Sequence, residues 1–579
     1  MEKIVVFYDE TFPYEGERPS KEMIERLRGS CTLADAKSLE QSLDEATCLV
    51  HLHGSFFSKS SWPEILRFLN KGNGLVHLGG APFKIPVYEE NGEWKREVEQ
   101  LGYHRQLHIL ETLEVAGDQV KHYMANEDFD LFQGKESLFD VKSTYSMQLH
   151  VTRTKDVPNE NGSGGPMDAH FYPLLKGVSK EGRHVAAPAV LLEHTKGEFT
   201  GGRWLFVNQE VTSTFWEQGG VEALVEWAEF ASKGVTEVWV KPNYSSYFPG
   251  EKIRLHIQIQ ELQKKNQGQK WTFHLQLTSV KTTYKWSEAV TVISSSDIQY
   301  IQHSIPFEIE PGYYELICQL EATDGQRRTL HQGIWGYDQD LLMKGEPLSC
   351  GRDYFEKEGK PFPIVGMTYM TSDVARKYLF LPNAAAWDRD MRHMKKAGIN
   401  YIRTGLWTGW RQVMFVDGHP YEEVMRAIDA FILTAKRHDL EVTFNFFSFT
   451  PERWEGENPY LDPRSIEAQK RFISAVVSRH KETTNIQWDL INEPSMFDEK
   501  RIFKGPMTSG DRFEHEAFRD WLRERHSTIR QLQEHWDMTP NELTSFEKVE
   551  LPEYDEINFS TTNKLEKRAI AGLIIRYFR

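Results

Sequence analysis

Residues 485–494 read NIQWDLINEP, an apolar run that turns polar at its last residues. Branched and aromatic side chains pack well on a pleated sheet, so Ile486 to Ile491 is expected to form a strand, with Asn492 and Glu493 at its carboxyl end. Working backwards, three further strand-like runs appear, PIVGMTYM (363–370), INYIRTGLW (399–407) and EVTFNFFSF (441–449). Between them stand AAWDRDMRHMKKAG (385–398), YEEVMRAIDAFILTAKRHDL (421–440) and SIEAQKRFISAVVSRHK (465–481). Their apolar residues fall three and four apart, as in Val424, Ile428, Phe431 and Ile432, the spacing of a helix with one buried stripe. Four strands with a helix between each pair specify βα units, which build either an open parallel sheet or a (β/α)8 barrel. Periodicity does not separate the two.

The strand ends do separate them, because the carboxyl ends of barrel strands carry the chemistry. Here they are polar and aromatic: Tyr369 ends the first strand, Arg403 and Trp407 the second, Asn445 and Thr450 the third, Asn492 and Glu493 the fourth. Cleaving a glycosidic bond needs a carboxylic acid to protonate the leaving oxygen and a second carboxylate about 5 Å away to attack the sugar carbon. Glu493 is the candidate for the first. Flat rings suit the apolar faces of sugars, and Trp407, Trp410 and Trp454 fall on the loops that would line such a cleft. Ordinary packing under loops accounts for these tryptophans equally well.

On these residues the segment resembles the clan A glycoside hydrolases, whose fourth strand ends in Asn-Glu, here Asn492 and Glu493 in WDLINEP. The resemblance implies that Glu493 is the acid/base and that Asn492 binds the sugar 2-hydroxyl. It implies that Arg403, in INYIRTG, supports the nucleophile carboxylate. FTPERW (449–454) and FRDWLRERHSTIRQLQEHWD (518–537) are similar to segments of family 42 β-galactosidases, while Asn-Glu-Pro is closer to the cellulase-like family 5. Tyr369, Trp407 and Trp454 join the expected substrate-binding set, and the implied chemistry is a retaining, β-galactosidase-like hydrolysis. A complete barrel takes about 250 residues and eight strands, yet after Pro494 the chain runs only to Arg579. The clan's nucleophile, on the seventh strand, is therefore not expected here, which leaves catalysis by this chain alone in question. The closing AIAGLIIRYFR (569–579) is apolar and basic, unlike the acidic text before it, and is read as a frameshift that truncates a longer gene.

Upstream, from Lys3 to Gly234, runs such as KIVVFY, TCLVHLHG, GLVHLGG and RWLFVN alternate with helix-like SWPEILRFLNKG and GGVEALVEWAEFASKG. Strand and helix in alternation imply a mostly parallel sheet covered by helices. Their order is similar to the flavodoxin-like fold of class I glutamine amidotransferases and ThuA-like domains, which some multidomain β-galactosidases carry without catalytic function. An active amidotransferase needs a cysteine on a G-x-C-x-G turn; Cys31 in RGSCTL and Cys48 in ATCLVH lack those glycines. His51 and His53 share a strand face and could form an H-x-H metal pair, although a strand-end pair with local partners is the simpler reading.

From Thr236 to about Tyr337 the period changes to two, in TEVWVK, KIRLHIQIQE, WTFHLQLTS and YYELICQLEA, with turns at FPGEK, EPGYY and TDGQ. That pattern specifies an immunoglobulin-like antiparallel β-sandwich of about 100 residues. The expected organisation is thus multidomain: a flavodoxin-like α/β domain (1–234), an all-β sandwich (235–340), a polar linker (341–362) and a partial (β/α)8 TIM barrel (363–579).

With 579 residues, 39% of them apolar, several cores are needed and can be built. A net charge of −16 without basic clusters disfavours nucleic acid and anionic membrane as partners. No run approaches the roughly 18 apolar residues of a membrane helix, and MEKIVVFYDE lacks the parts of a secretory signal. Four scattered cysteines without CxxC spacing indicate neither a disulfide framework nor zinc, which points to the cytoplasm. The expected protein is a glycosidase acting on an oligosaccharide or glycoside with no cofactor and no metal; a homo-oligomer is left open. The competing expectation is a non-catalytic carbohydrate-binding or scaffold protein.

Overall fold

The computed structural model describes residues 3–151, 167–263, 268–281, 285–371, 373–407, 410–448, 454, 456–493 and 510–551, with the backbone alone at 410 and 411. Thr450, Pro494, the Trp410 side chain and the 569–579 run lie outside the described residues.

The first sheet has eight strands: β1 (Ile4–Phe7), β2 (Thr32–Ala34), β3 (Cys48–His51), β4 (Gly74–Leu78), β5 (His122–Ala125), β6 (Ala169–Val178), β7 (His184–His194) and β8 (Arg203–Val207). Their order is β2-β1-β3-β4-β8-β7-β6-β5. The first five in that order are parallel, and β7, β6 and β5 extend the sheet antiparallel. The mostly parallel expectation therefore covers only part of this sheet. Its long β6–β7 hairpin carries mixed apolar and polar text, and period alone did not separate it from the βα units. On one face α1 (Lys21–Ser30) and α3 (Gly220–Ser232) bury Leu27, Leu224, Trp227 and Ala228; on the other, α2 (Trp62–Asn70) buries Ile65, Phe68 and Leu69.

Strict alternation then produces two more sheets, β9 (Thr236–Pro242), β11 (Lys252–Glu261) and β14 (Gln299–Glu308) against β10 (Ser246–Tyr247), β12 (Lys270–Ser279), β13 (Lys285–Ile293), β15 (Gly312–Ala322) and β16 (Arg327–Gly336). Ile253, Leu255, Ile257 and Ile259 of β11 meet Phe273, Leu275 and Leu277 of β12 in one core, while the residues between them point outward. The segment expected as a plain linker instead forms a small antiparallel sheet of Ser349–Cys350, Phe355–Lys357 and Lys360–Pro361. Glu358 and Gly359, both at positive φ, make the tight turn that closes it.

The last sheet holds β17 (Gly366–Thr368), β18 (Tyr401–Gly405), β19 (Glu441–Ser448) and β20 (Ile486–Asn492), in chain order and all parallel. The connecting helices are α4 (Ala384–Lys396), α5 (Glu422–Arg437) and α6 (Pro463–Arg479); after β20 come α7 (Arg512–His526) and α8 (Ile529–Trp536). Each connector starts where the sequence supplies a favourable end. Asn383 accepts hydrogen bonds from the amides of Ala385 and Ala386 at the head of α4. Glu422 and Glu423 open α5 while Lys436 and Arg437 close it, in keeping with the helix dipole. Asp462 caps α6 with Pro463 at its first position. Val424, Ile428, Phe431 and Ile432 of α5 pack under Ile402, Val442 and Phe444.

Strand β16 touches everything. Near its start Arg328 donates to Glu193 of β7 at 2.7 Å. At its middle His331 meets Asp128, and its carbonyl accepts from Asn383 at the head of α4. Near its end the Trp335 indole donates to Thr434 of α5 at 2.9 Å. Arg426 of α5 adds a paired contact to Glu251 in the sandwich. No helix among the described residues is long and apolar enough to cross a membrane.

Candidate active site

The parallel register sets Arg403 beside Thr443, and Asn445 beside Asp489. Side chains alternate along a strand, so Tyr401, Arg403, Thr443, Asn445 and Asp489 share the face opposite the helices. This polar row is what a strand interior avoids unless its members bond to one another. Tyr401 and Thr443 do, their hydroxyls lying 2.5 Å apart; Asn445 donates instead to the Phe447 carbonyl at 2.7 Å, and its own Oδ1 is buried without a partner.

Arg403 reaches across β19. Its Nε and Nη2 both donate to Asp489 Oδ2, at 3.2 and 2.5 Å, and its Nη1 donates to Asn492 Oδ1 at 3.0 Å. The guanidinium lies 5.5 Å from the centre of the Trp407 ring. Gly405 stands level with Asn445, where a side chain would collide with the β19 backbone. The charge-assisted contacts hold a planar group in one orientation, and the Asn492 amide is oriented with it. Glu493 follows directly, exposed, with φ at +49°. A left-handed backbone at a residue with a Cβ costs about 1 kcal/mol or more, and it turns the chain sharply out of β20.

The structure therefore brings Arg403, Asn492 and Trp407 together, with Glu493 adjoining them. Trp407 is 7% exposed and belongs to the core beneath the loop, so the packing reading describes it better than a free sugar platform. Trp454 is half-buried, edge-on to Phe447 at 6.1 Å, with φ at +49°. Tyr369 does not join the group. Its amide bonds to the Arg403 carbonyl, but its ring is buried near Phe431 and its hydroxyl donates to Asp390 of α4 at 2.9 Å. Burial and the Asp390 carboxylate hold that phenol far above its usual range. Being one residue past β17, Tyr369 faces the helix layer.

Asp489 was missed. Its signal lay in the sequence: an acidic residue inside an otherwise apolar strand, four positions before Glu493, needs a cation, and Arg403 is the cation on the same face.

Elsewhere the other candidates resolve. His53 spends both ring nitrogens on the backbone, Nδ1 on the Pro13 carbonyl at 2.8 Å and Nε2 on the Asp9 amide at 3.0 Å. An H-x-H metal pair is thereby dismantled, and among the described residues no group of three or more His, Cys, Asp or Glu side chains could hold a metal ion. Cys48 is buried, and burial with a contribution from Glu229 pushes the Cys31 thiol up to about 11, the reverse of what a nucleophile needs.

Residues 355–536 match the family model described as cellulase (glycosyl hydrolase family 5). A curated relative, mannan endo-1,4-beta-mannosidase 8 of Oryza sativa subsp. japonica, is 27% identical over 176 residues, which is 25% of this chain and 46% of the relative. The chain thus spans about half the length of the curated relative it matches. Among solved structures, GH5_18 from Streptomyces cattleya in complex with GlcNAc is 16% identical, covering 30% of this chain and 41% of that one at a TM-score of 0.23. A Bacteroides uniformis beta-glucuronidase is 11% identical, covering 51% and 32% at a TM-score of 0.19. The strand order above, rather than these superpositions, defines the architecture. Residues 355–536 are therefore similar to the glycosyl hydrolases of family 5, and the match supports a glycosyl hydrolase.

Proposed function

We propose that this protein acts on β-linked oligosaccharides as a retaining glycoside hydrolase, with Glu493 as the proton donor. The contact that supports the reading is Arg403 to Asn492 at 3.0 Å, which orients the amide at the strand end where Glu493 follows directly, exposed. In the first step the Glu493 proton passes to the bridging oxygen as the bond to the sugar carbon breaks, and a second carboxylate takes that carbon. In the second step Glu493, now ionised, draws a proton from water as the water oxygen bonds to the sugar carbon and the bond to the second carboxylate breaks, which releases the sugar with its configuration kept. Asn492 is the group proposed to hold the sugar 2-hydroxyl, and Trp454 the ring nearest the leaving side. The attacking carboxylate is not assigned among the described residues, since Asp489 is already engaged by Arg403.

The curated relative's name makes β-1,4-mannan the first substrate to try, with chromogenic β-galactosides and β-glucosides beside it. Hydrolysis by the full chain, falling by about 10² to 10⁴ in Glu493→Gln, is the expected result. Equal turnover in that variant would end the proposal. Retained sugar binding without any turnover favours the second reading, a carbohydrate-binding or scaffold protein, for which the occupied Asp489 is the supporting observation.

A further inference from the structure

In the first sheet β1 runs on to β2 on one side while its other neighbour, β3, runs on to β4 on the other, so the connections from the carboxyl ends of β1 and β3 leave in opposite directions. Open α/β sheets form a crevice at such a point. Phe7, His51, His77 and Phe206 stand in one row, as Phe7 pairs with His51, His51 with His77, and His77 with Phe206. Two residues on, Asp9, His53, Gly79 and Asn208 continue that face at the carboxyl end. Asn208 is 0% exposed, and neither its Oδ1 nor its Nδ2 has a partner. A primary amide so placed is equipped to give and accept a hydrogen bond.

The loop after β1 bends back over this row. Arg18 pins it by donating to the carbonyls of Asp9, at 3.2 Å, and Phe12, at 2.6 Å, with its guanidinium 4.6 Å from the Tyr14 ring centre. The loop thereby lays the Glu15 carboxylate on the turns after β3 and β4. Glu15 Oε2 accepts the Ser55 amide at 2.7 Å. A side chain at Gly54 would meet the same carboxylate at 2.6 Å, and one at Gly80 would clash with it outright; both glycines have positive φ. Three backbone positions are thus shaped around one carboxylate delivered by the chain itself.

We infer that this crevice is a binding site for a small carboxylate, which Glu15 fills as a tethered ligand and which Asn208 lines. Withdrawing Glu15 opens the site to an external carboxylate of matching size. Nothing in this inference depends on the glycosidase reading of the last sheet.

The test uses the full chain carrying Glu15→Ala, titrated with sodium acetate against sodium chloride and neutral acetamide at matched ionic strength, and read by thermal melting. Acetate is expected to raise the midpoint saturably in the variant and not in the wild type, and neither chloride nor acetamide should imitate it. Asn208→Ala in the same background is expected to weaken acetate by about tenfold, the effect of one lost buried hydrogen bond. Should Glu15→Ala fail to fold, Glu15→Ser, which is polar yet too short to reach the Ser55 amide, is titrated in its place. An equal response to acetate and chloride in whichever variant folds overturns the inference, as does an acetate response of the same size in the wild type.

Discussion

Asp489 is the residue on which the orientation of the glycosidase-type strand end turns. Asp489→Ala removes the acceptor of two Arg403 donors while leaving Asn492 with the third. Both partners are about a third exposed, so solvent screens the pair and the stability loss is expected to be only about 1 kcal/mol in a urea titration. Any glycoside turnover should fall far more than that, because Arg403 is freed to rotate away from Asn492. A full retention of turnover would show that the orientation does not matter. At this scale the sequence was legible where residue type and chemistry coincide. Asn492 and Glu493 announce themselves at a strand end, and Arg403 is a cation in an apolar run. Tyr369 is misplaced because the face on which a strand-end residue falls depends on where the strand stops, while Asp489 goes unread until Arg403 is recognised as the cation on its face.

Among the elements, the close approach of β18 to β19 rests on Gly405, whose added Cβ would collide with the Asn445 backbone. Gly405→Ala must push the two strands apart or break their pairing. A loss of roughly 1–3 kcal/mol, the range for overpacking, is expected by chemical denaturation. A variant of unchanged stability would mean that the strands part at no cost. Helices α4, α5 and α6 were readable because each has a single apolar stripe and a favourable first turn, and β9, β11, β12 and β15 of the sandwich because apolar and polar residues alternate in them, whereas β13 and β16 lack that alternation. What period could not show was pairing direction: β6 and β7, of mixed apolar and polar text, fold back as a long hairpin. Nor could it show the small sheet at Ser349–Pro361, whose strands are two or three residues long and carry no pattern.

For the molecule as a whole, the decisive charge is Glu193, 2% exposed between Arg203 at 3.0 Å and Arg328 at 2.7 Å. Burial alone would raise its pKa, but the two guanidinium groups, Arg328 foremost, outweigh that and hold it at about 2. A carboxylate depressed in the fold contributes stability that is full above its unfolded value, near 4.5, and is lost as the pH falls towards 2. The melting temperature is therefore expected to decline across that window, and Glu193→Gln should flatten this part of the decline. Glu193→Leu leaves two buried cations unpaired and is expected to cost about 3–5 kcal/mol. A profile for Glu193→Gln that parallels the wild type between pH 4.5 and 2 would remove Glu193 from this role. The sequence does not show this, because Glu193 and Arg203 meet only through the pairing of β7 with β8 and Arg328 reaches them from the sandwich, far along the chain.

The same strand that carries Arg328 ends at Trp335, so a single extended segment is gripped at one end by the amino-terminal unit and at the other by the helix under the polar row. A register slip of two residues along β16 would tear both grips at once, and neither neighbour can let go without loosening the spindle on which the other is mounted. Slow heating should accordingly yield one calorimetric endotherm rather than a staircase of three, and an insertion at its tip should cripple regions that never meet.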